Sequence, residues 1–334
     1  MPRRWVAPLV GAVLALTLTA GCAGTARPDT GVGNTDVATG GRLFATADQE
    51  TAKLGTDAAA GVFPRTITHA RGTTTLEKKP QRVVVLDSGE LDQVLALGIT
   101  PVATATLNGT QPSYLLDKVA GIPTIGEQNA LNLEAISKAA PDLILGSKLR
   151  VDQLYDKLSA IAPTVLSIRP GFPWKENVLL VGAALGEETK AVEVLNEYQR
   201  HADQVKATLQ GKPTISLVRF MPGRIRLYGN LSFIGVILRD VGLARPPNQD
   251  INELAVEVST ERIGDANADW IFYSSYGPPT ATDQGGVVNG QLWSAIPAVK
   301  AGHVRPVEDE VWFLGLGPIG AARVLDDLPK LLAG

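Results

Sequence analysis

The chain has 334 residues, 45% of them hydrophobic, and its 31 basic and 34 acidic residues give a net charge of −3. A slightly acidic balance without a basic, aromatic-interleaved stripe argues against a nucleic-acid partner. Three dispersed histidines and one cysteine argue against a His/Cys metal centre, and the length suffices for two domains of ordinary size.

Arg3 and Arg4 precede an apolar run, Val6 to Ala20, that is too short to span a membrane and ends in small residues. This is the pattern of an export signal over residues 1–22. The one cysteine, Cys22, follows Ala20-Gly21, which resembles the processing box of bacterial lipoproteins, with Thr19 where Leu is most common. The resemblance implies lipidation at Cys22 and a chain anchored on the outer face of the cytoplasmic membrane. Residues 23–62, rich in Gly, Ala, Thr and Asp, read as a flexible tether.

Beyond the tether, Thr66-Ile67-Thr68-His69 and Thr73-Thr74-Thr75-Leu76 flank Arg71-Gly72 and predict an edge hairpin. Val83 to Leu86 reads as a buried strand, followed by a helix from about Glu90 to Leu97, a strand near Pro101 to Ala105, and strands at Leu143 to Leu145 and Val165 to Ile168. The stretch from Trp174 to Gln210 is helical in composition, with Ala191, Val194, Leu195, Tyr198, Ala202, Val205 and Leu209 at helical spacing and Gly186 as a break. A second series then opens with Ile215 to Val218. It continues through a helix at Phe233 to Val241, strands at Trp270 to Tyr273 and around Val304, and a closing helix from about Ala321 to Leu332.

The two series repeat one another. Asn132-Leu133-Glu134-Ala135-Ile136 leading to Asp142-Leu143-Ile144 recurs 127 positions later as Ser259-Thr260-Glu261-Arg262-Ile263 leading to Asp269-Trp270-Ile271. Each copy predicts an N-cap, an acid in the first turn, one short helix and a strand. Alternating strands and helices in two copies predict an α/β protein of two similar Rossmann-like lobes, 63–173 and 211–334, joined by a single long helix in the interlobe stretch 174–210. A ligand cleft is expected between the lobes, and a rigid helical strut limits its closure.

These residues resemble the solute-binding lipoproteins of ABC importers for ferric siderophores, a group that includes cobalamin binders. The resemblance spans about 63–333. It rests on Lys79-Pro80-Gln81-Arg82-Val83-Val84, Ala96-Leu97-Gly98-Ile99, the Asn132 and Ala140-Pro141-Asp142 stretches, Ile161-Ala162-Pro163-Thr164, Arg226-Leu227-Tyr228-Gly229 and Trp293-Ser294-Ala295-Ile296-Pro297-Ala298-Val299. It implies a monomer that carries a ferric siderophore to an ABC-transporter permease, with no cofactor of its own, iron entering only inside the chelate. It also implies that Glu134 and Glu261, one per lobe, dock onto permease arginines. Haem or cobalamin binding, and an envelope sensor or scaffold on the same fold, are the alternative readings.

Such chelates saturate the iron, so the protein is expected to offer cations and aromatic faces. Loops after strands supply Lys148, Arg150, Arg169, Trp174, Arg219, Tyr276, Trp312 and Phe313, and Tyr228 lies in a stretch that carries the resemblance. Arg219 and Trp312 are the foremost candidates. Gln128 stands where some relatives have Arg, which leaves the ligand's charge open. His69, His201 and His303 read as surface or loop residues.

Gly315-Leu316-Gly317-Pro318-Ile319-Gly320 has dinucleotide-fingerprint spacing, but only 14 residues follow it, so the second strand and ribose-binding acid are missing. It reads as a turn into the last helix. With no G-x-S-x-G elbow and no recognisable nucleophile and base, no enzymatic activity is expected.

Overall fold

The computed structural model describes residues 53–333. The expected signal segment, the lipidation site Cys22 and most of the tether lie outside the described residues. Residues 53–62 are folded, contrary to the tether expectation. Gly55 and Thr68 exchange backbone hydrogen bonds, and the buried Arg65 donates to the carbonyls of Val62 (2.8 Å), Ala59 (2.9 Å) and Ala183 (2.7 Å) while pairing with Glu188.

The chain forms two α/β lobes. In the first, β3 (Val83–Val85), β4 (Ala103–Thr106), β5 (Thr124–Glu127), β7 (Leu143–Ser147) and β8 (Thr164–Ser167) run parallel, and β6 (Ala130–Leu131) closes one edge antiparallel in the order β6-β5-β4-β3-β7-β8. Val83, Val84 and Val85 are all buried, as expected of a strand covered on both faces. The predicted hairpin, β1 (Arg65–His69) and β2 (Gly72–Leu76), lies beside β8 through the bond from Ala70 N to Leu166 O.

The second sheet has the order β11-β10-β9-β12-β13, from β9 (Ile215–Met221), β10 (Arg224–Tyr228), β11 (Ala255–Val258), β12 (Trp270–Ser275) and β13 (Val304–Pro306). Here β9, β12 and β13 are parallel and repeat the arrangement of β3, β7 and β8. The copies diverge after their first strand, because β10 folds straight back on β9 whereas β4 is reached through the helix α1 (Ser88–Ala96). They also diverge at the repeated helix. Asn132 caps its helix by accepting from Ala135 N at 3.0 Å, but Ser259 makes no such cap and Thr260–Ala266 is a 3-10 helix instead of the expected α-helix.

The joining segment is two helices, α2 (Trp174–Leu185) and α3 (Glu188–Thr208). Gly186 separates them at φ +67°, where a β-carbon would meet the Phe63 ring at 2.7 Å. The 21 residues of α3 extend about 30 Å. Ala191, Tyr198, Ala202 and Val205 are buried, and Val194, Leu195 and Leu209 pack partly against the same core. The strut is not free-standing: α3 lies on α2, on α4 (Phe233–Asp240) and on the last helix, α5 (Pro318–Leu332). One apolar core runs continuously from Val83 and Leu143 in the first lobe to Ile215 and Phe272 in the second.

Candidate functional site

Parallel strands point their carboxyl ends to one edge of each sheet, and the residues just beyond those ends form the facing rims of the cleft. In the first lobe, Asp87 follows β3 and caps α1 by accepting from Gly89 N at 3.2 Å. Its other carboxylate oxygen accepts from Arg150 Nε at 3.0 Å and Ser147 Oγ at 3.3 Å. The Asp87 charge holds Arg150 above its ordinary pKa against the pull of burial. Beside them, Glu90 accepts from Ser167 Oγ at 2.7 Å. Burial first, and the Asp87 charge second, raise Glu90 to about 8.

In the second lobe, β9 carries Arg219 to the rim. Its Nε donates to Asp309 Oδ1 at 2.6 Å, its Nη2 pairs with Oδ2 of the same carboxylate, and its Nη1 donates to Tyr228 Oη at 3.1 Å. Ser274 Oγ adds a bond to Asp309 at 2.8 Å. The guanidinium lies 4.7 Å from the Tyr276 ring centroid and 5.3 Å from that of Phe313, within cation–π range of both. Burial disfavours the Arg219 charge, but the Asp309 carboxylate and the Tyr228 phenol more than offset it and raise the pKa. Tyr276 is fixed just past β12 by its backbone bond to Phe220 O at 2.8 Å.

Between the rims is a cavity of about 420 Å³, lined by Leu107, Asn108 and Thr110 from one lobe and by Tyr276, Glu308 and Glu310 from the other. A direct bond crosses it, from Ser113 N to Glu310 Oε2 at 2.6 Å. Arg150 lies near enough to Tyr276 for the phenol's charge to bear on its pKa. A larger cavity, about 720 Å³, lies between residues 53–58 and the hairpin; it is remote from the strand ends.

The structure therefore brings Arg219, Tyr228, Tyr276 and Phe313 together and sets Arg150 across from them. Gln128 is buried after β5 with its backbone N bonded to Thr106 O, and neither side-chain amide atom meets a partner among the described residues. Lys148 is exposed on the first rim. Arg169 is half-buried 5.3 Å from the Phe172 ring, its pKa lowered by burial.

Two expectations fail. Trp174 is fully buried between Tyr198 (4.8 Å) and Phe233 (6.0 Å), inside the helical layer and away from the cleft. Trp312 is also fully buried, edge-on to Phe272 at 5.3 Å with its indole N–H donated to Asp327 at 3.3 Å. Each begins or ends a helix and turns toward the core that the helix covers. His69 is likewise no surface residue: it is buried beside Thr74 (2.9 Å), and burial lowers its pKa to about 4.

Sequence reasoning missed the acids. Asp87 lies two residues past the end of β3, and Glu308-Asp309-Glu310 follows β13. The rule that found the cationic candidates would have found these, had carboxylates been sought as partners of cleft arginines. Glu134 and Glu261 are exposed, each in the first turn of its repeated helix.

The family profile described as periplasmic binding protein matches residues 83–310. The probable siderophore-binding lipoprotein YfiY of Bacillus subtilis (strain 168) is 35% identical over 281 residues, covering 79% of this chain and 86% of that protein. The achromobactin-binding periplasmic protein of Dickeya dadantii (strain 3937) is 29% identical over 264 residues, covering 75% and 86%. Among solved structures, Staphylococcus aureus SirA complexed with staphyloferrin B aligns with a TM-score of 0.72 at 31% identity, over 80% of this chain and 98% of that one. With two α/β lobes, a helical connection and a cleft at the strand ends, the chain belongs to the periplasmic binding protein family.

Proposed function

We propose that this protein captures a ferric siderophore in the interlobe cleft and hands it to an ABC-transporter permease. The observation that carries the reading is the placement of Arg150 on one rim opposite Arg219, Tyr276 and Phe313 on the other. Guanidinium and aromatic faces suit a bulky chelate whose iron is already saturated. Relatives named for siderophore binding support the same ligand class. Lipid attachment at Cys22 would hold a monomeric carrier beside its permease, with Glu134 and Glu261 as the two exposed acidic posts that orient it on a basic surface.

The test is a tryptophan-fluorescence titration of the chain lacking residues 1–22 with ferric citrate, a ferric hydroxamate, a ferric catecholate, haem and cobalamin, with iron-free chelators as controls. Saturable binding of a ferric chelate in preference to its iron-free form is the expected result. Binding of haem or cobalamin alone, or of nothing in the series, would overturn it.

A further inference from the structure

We propose, building on the chelate-binding reading above, that the cleft selects a ferric chelate of low net charge, rich in hydroxamate or amide oxygens, over a trianionic tris-catecholate. The inference rests on how the cleft's arginines are already committed. Arg150 is held by Asp87, and Arg219 is held by both oxygens of Asp309. On the row of strands beside Arg219, Arg226 lies opposite Glu257 and donates to it through Nε at 3.0 Å and Nη2 at 2.9 Å. Each arginine arrives at the rim with its counter-charge built in.

The remaining charges do not restore a cationic cleft. Lys148 and Arg169 stand on the first rim, while Glu308 and Glu310 border the cavity on the second, and neither of these acids has an ion-pair partner among the described residues. A highly charged anion entering here would face Glu308 and Glu310 and would compete with carboxylates that already hold the arginines, and juxtaposed like charges penalise a wrong partner.

The buried polar groups near the cavity that lack a partner are neutral. All three nitrogens of Arg219 are engaged and its side chain is buried beside the Tyr276 and Phe313 rings, so it offers a ligand no uncommitted charge. Gln128, 5% exposed, has both amide atoms unpartnered among the described residues, and the buried Oε1 of Gln111, which directly follows the cavity-lining Thr110, is likewise unpartnered among them. Gln128 is bonded to Thr106, whose neighbour Leu107 lines the cavity. A buried amide without a partner is costly, and a neutral oxygen or N–H on the ligand relieves that cost without adding charge.

The test compares a neutral iron(III) tris-hydroxamate complex with a trianionic iron(III) tris-catecholate complex, using the chain lacking residues 1–22 at low and high salt. The hydroxamate complex is expected to bind at least about tenfold more tightly, with an affinity that changes less than about twofold with salt, since screening acts on net charge. Tighter binding of the tris-catecholate, weakening steeply with salt, would overturn the inference and leave the chelate-binding reading standing. No binding of either complex, nor of ferric citrate, would overturn both. The variant Asp309→Asn, checked for an intact melting transition, is expected to narrow the preference by about tenfold through unmasking Arg219. An unchanged preference in the folded variant would sink the role given to this pair. If the variant does not fold, the salt series on the parent protein decides the matter.

Discussion

Asp92 and Gly317 meet where the first lobe touches the start of the last helix: a β-carbon on Gly317 would stand 2.5 Å from Asp92 Oδ1. The Asp92 carboxylate accepts from Ile319 N and Gly320 N, each at 2.8 Å, and Tyr114 Oη lies 3.0 Å from it and 2.7 Å from Gly315 O. The glycine spacing that imitates a dinucleotide fingerprint thus has a steric basis. It lets an internal carboxylate approach a helix N-terminus, where free N–H groups and the helix dipole favour an anion. This contact ties α1 to α5 and so joins the first lobe to the helical layer shared with the second.

Gly317→Ala is expected to destabilise the protein by about 1–3 kcal/mol, because the added methyl group must displace the carboxylate or shift the helix start. Chemical denaturation monitored by far-ultraviolet circular dichroism reads this as a lower midpoint at constant slope. An unaltered midpoint would show that the close approach is not needed.

Asp92 also sets a pH dependence. Burial raises its pKa from 3.8 to about 7, although the bonds from Ile319, Gly320 and Tyr114 and the charge of Lys118 oppose the rise. The folded state therefore binds this proton more tightly than the unfolded state, and the stability conferred is largest below pH about 4 and is lost as pH rises toward 7. Glu90 acts in the same sense, up to pH about 8. In Asp92→Asn the fall in stability between pH about 4 and 7 is expected to become shallower, with Glu90 leaving a residual slope. Urea midpoints of parent and variant across that range check this, and parallel slopes would contradict it.

The sheets were legible where burial alone determines the pattern. Val83 to Val85 and Ile215 to Val218 are continuous apolar runs, and the buried stripe of α3 follows a period of 3.6. The tandem repeat located β7 and β12 through Leu143 and Trp270. The hairpin of β10 on β9 was not legible, because Arg224-Ile225-Arg226-Leu227-Tyr228 alternates polar and apolar residues without naming its partner strand. The cleft was only half legible. Sequence position puts a residue beyond a strand end, but whether its side chain turns to the rim, as Tyr276 does, or into the core, as Trp312 does, depends on helices packed from elsewhere in the chain.

That distinction separates two substitutions. Tyr276→Ala removes a half-exposed ring beside Arg219 and is expected to weaken chelate affinity about tenfold, with little change in stability. Trp312→Ala empties a fully buried site and is expected to cost about 3–5 kcal/mol of stability, while the folded fraction keeps its affinity. Paired fluorescence titration and thermal denaturation distinguish them. A loss of affinity in folded Trp312→Ala would return that tryptophan to the ligand site.

Glu134 and Glu261 occupy matched first-turn positions in the two copies of the repeat, and both are exposed. Neither forms an ion pair among the described residues, so each can be reversed without stranding a buried partner. An exposed acid near a helix start contributes at most about 1 kcal/mol through the helix dipole, so Glu134→Lys with Glu261→Lys is expected to leave folding and ligand affinity nearly unchanged. Two fixed negative posts matter only when a basic surface meets both at once, and their joint reversal is expected to reduce cellular uptake of the iron-loaded chelate by tenfold or more. Radiolabelled-iron uptake in a strain carrying only the variant, set beside its titration curve, separates transport from binding. Normal uptake at normal affinity would remove the docking role and favour an envelope sensor or scaffold.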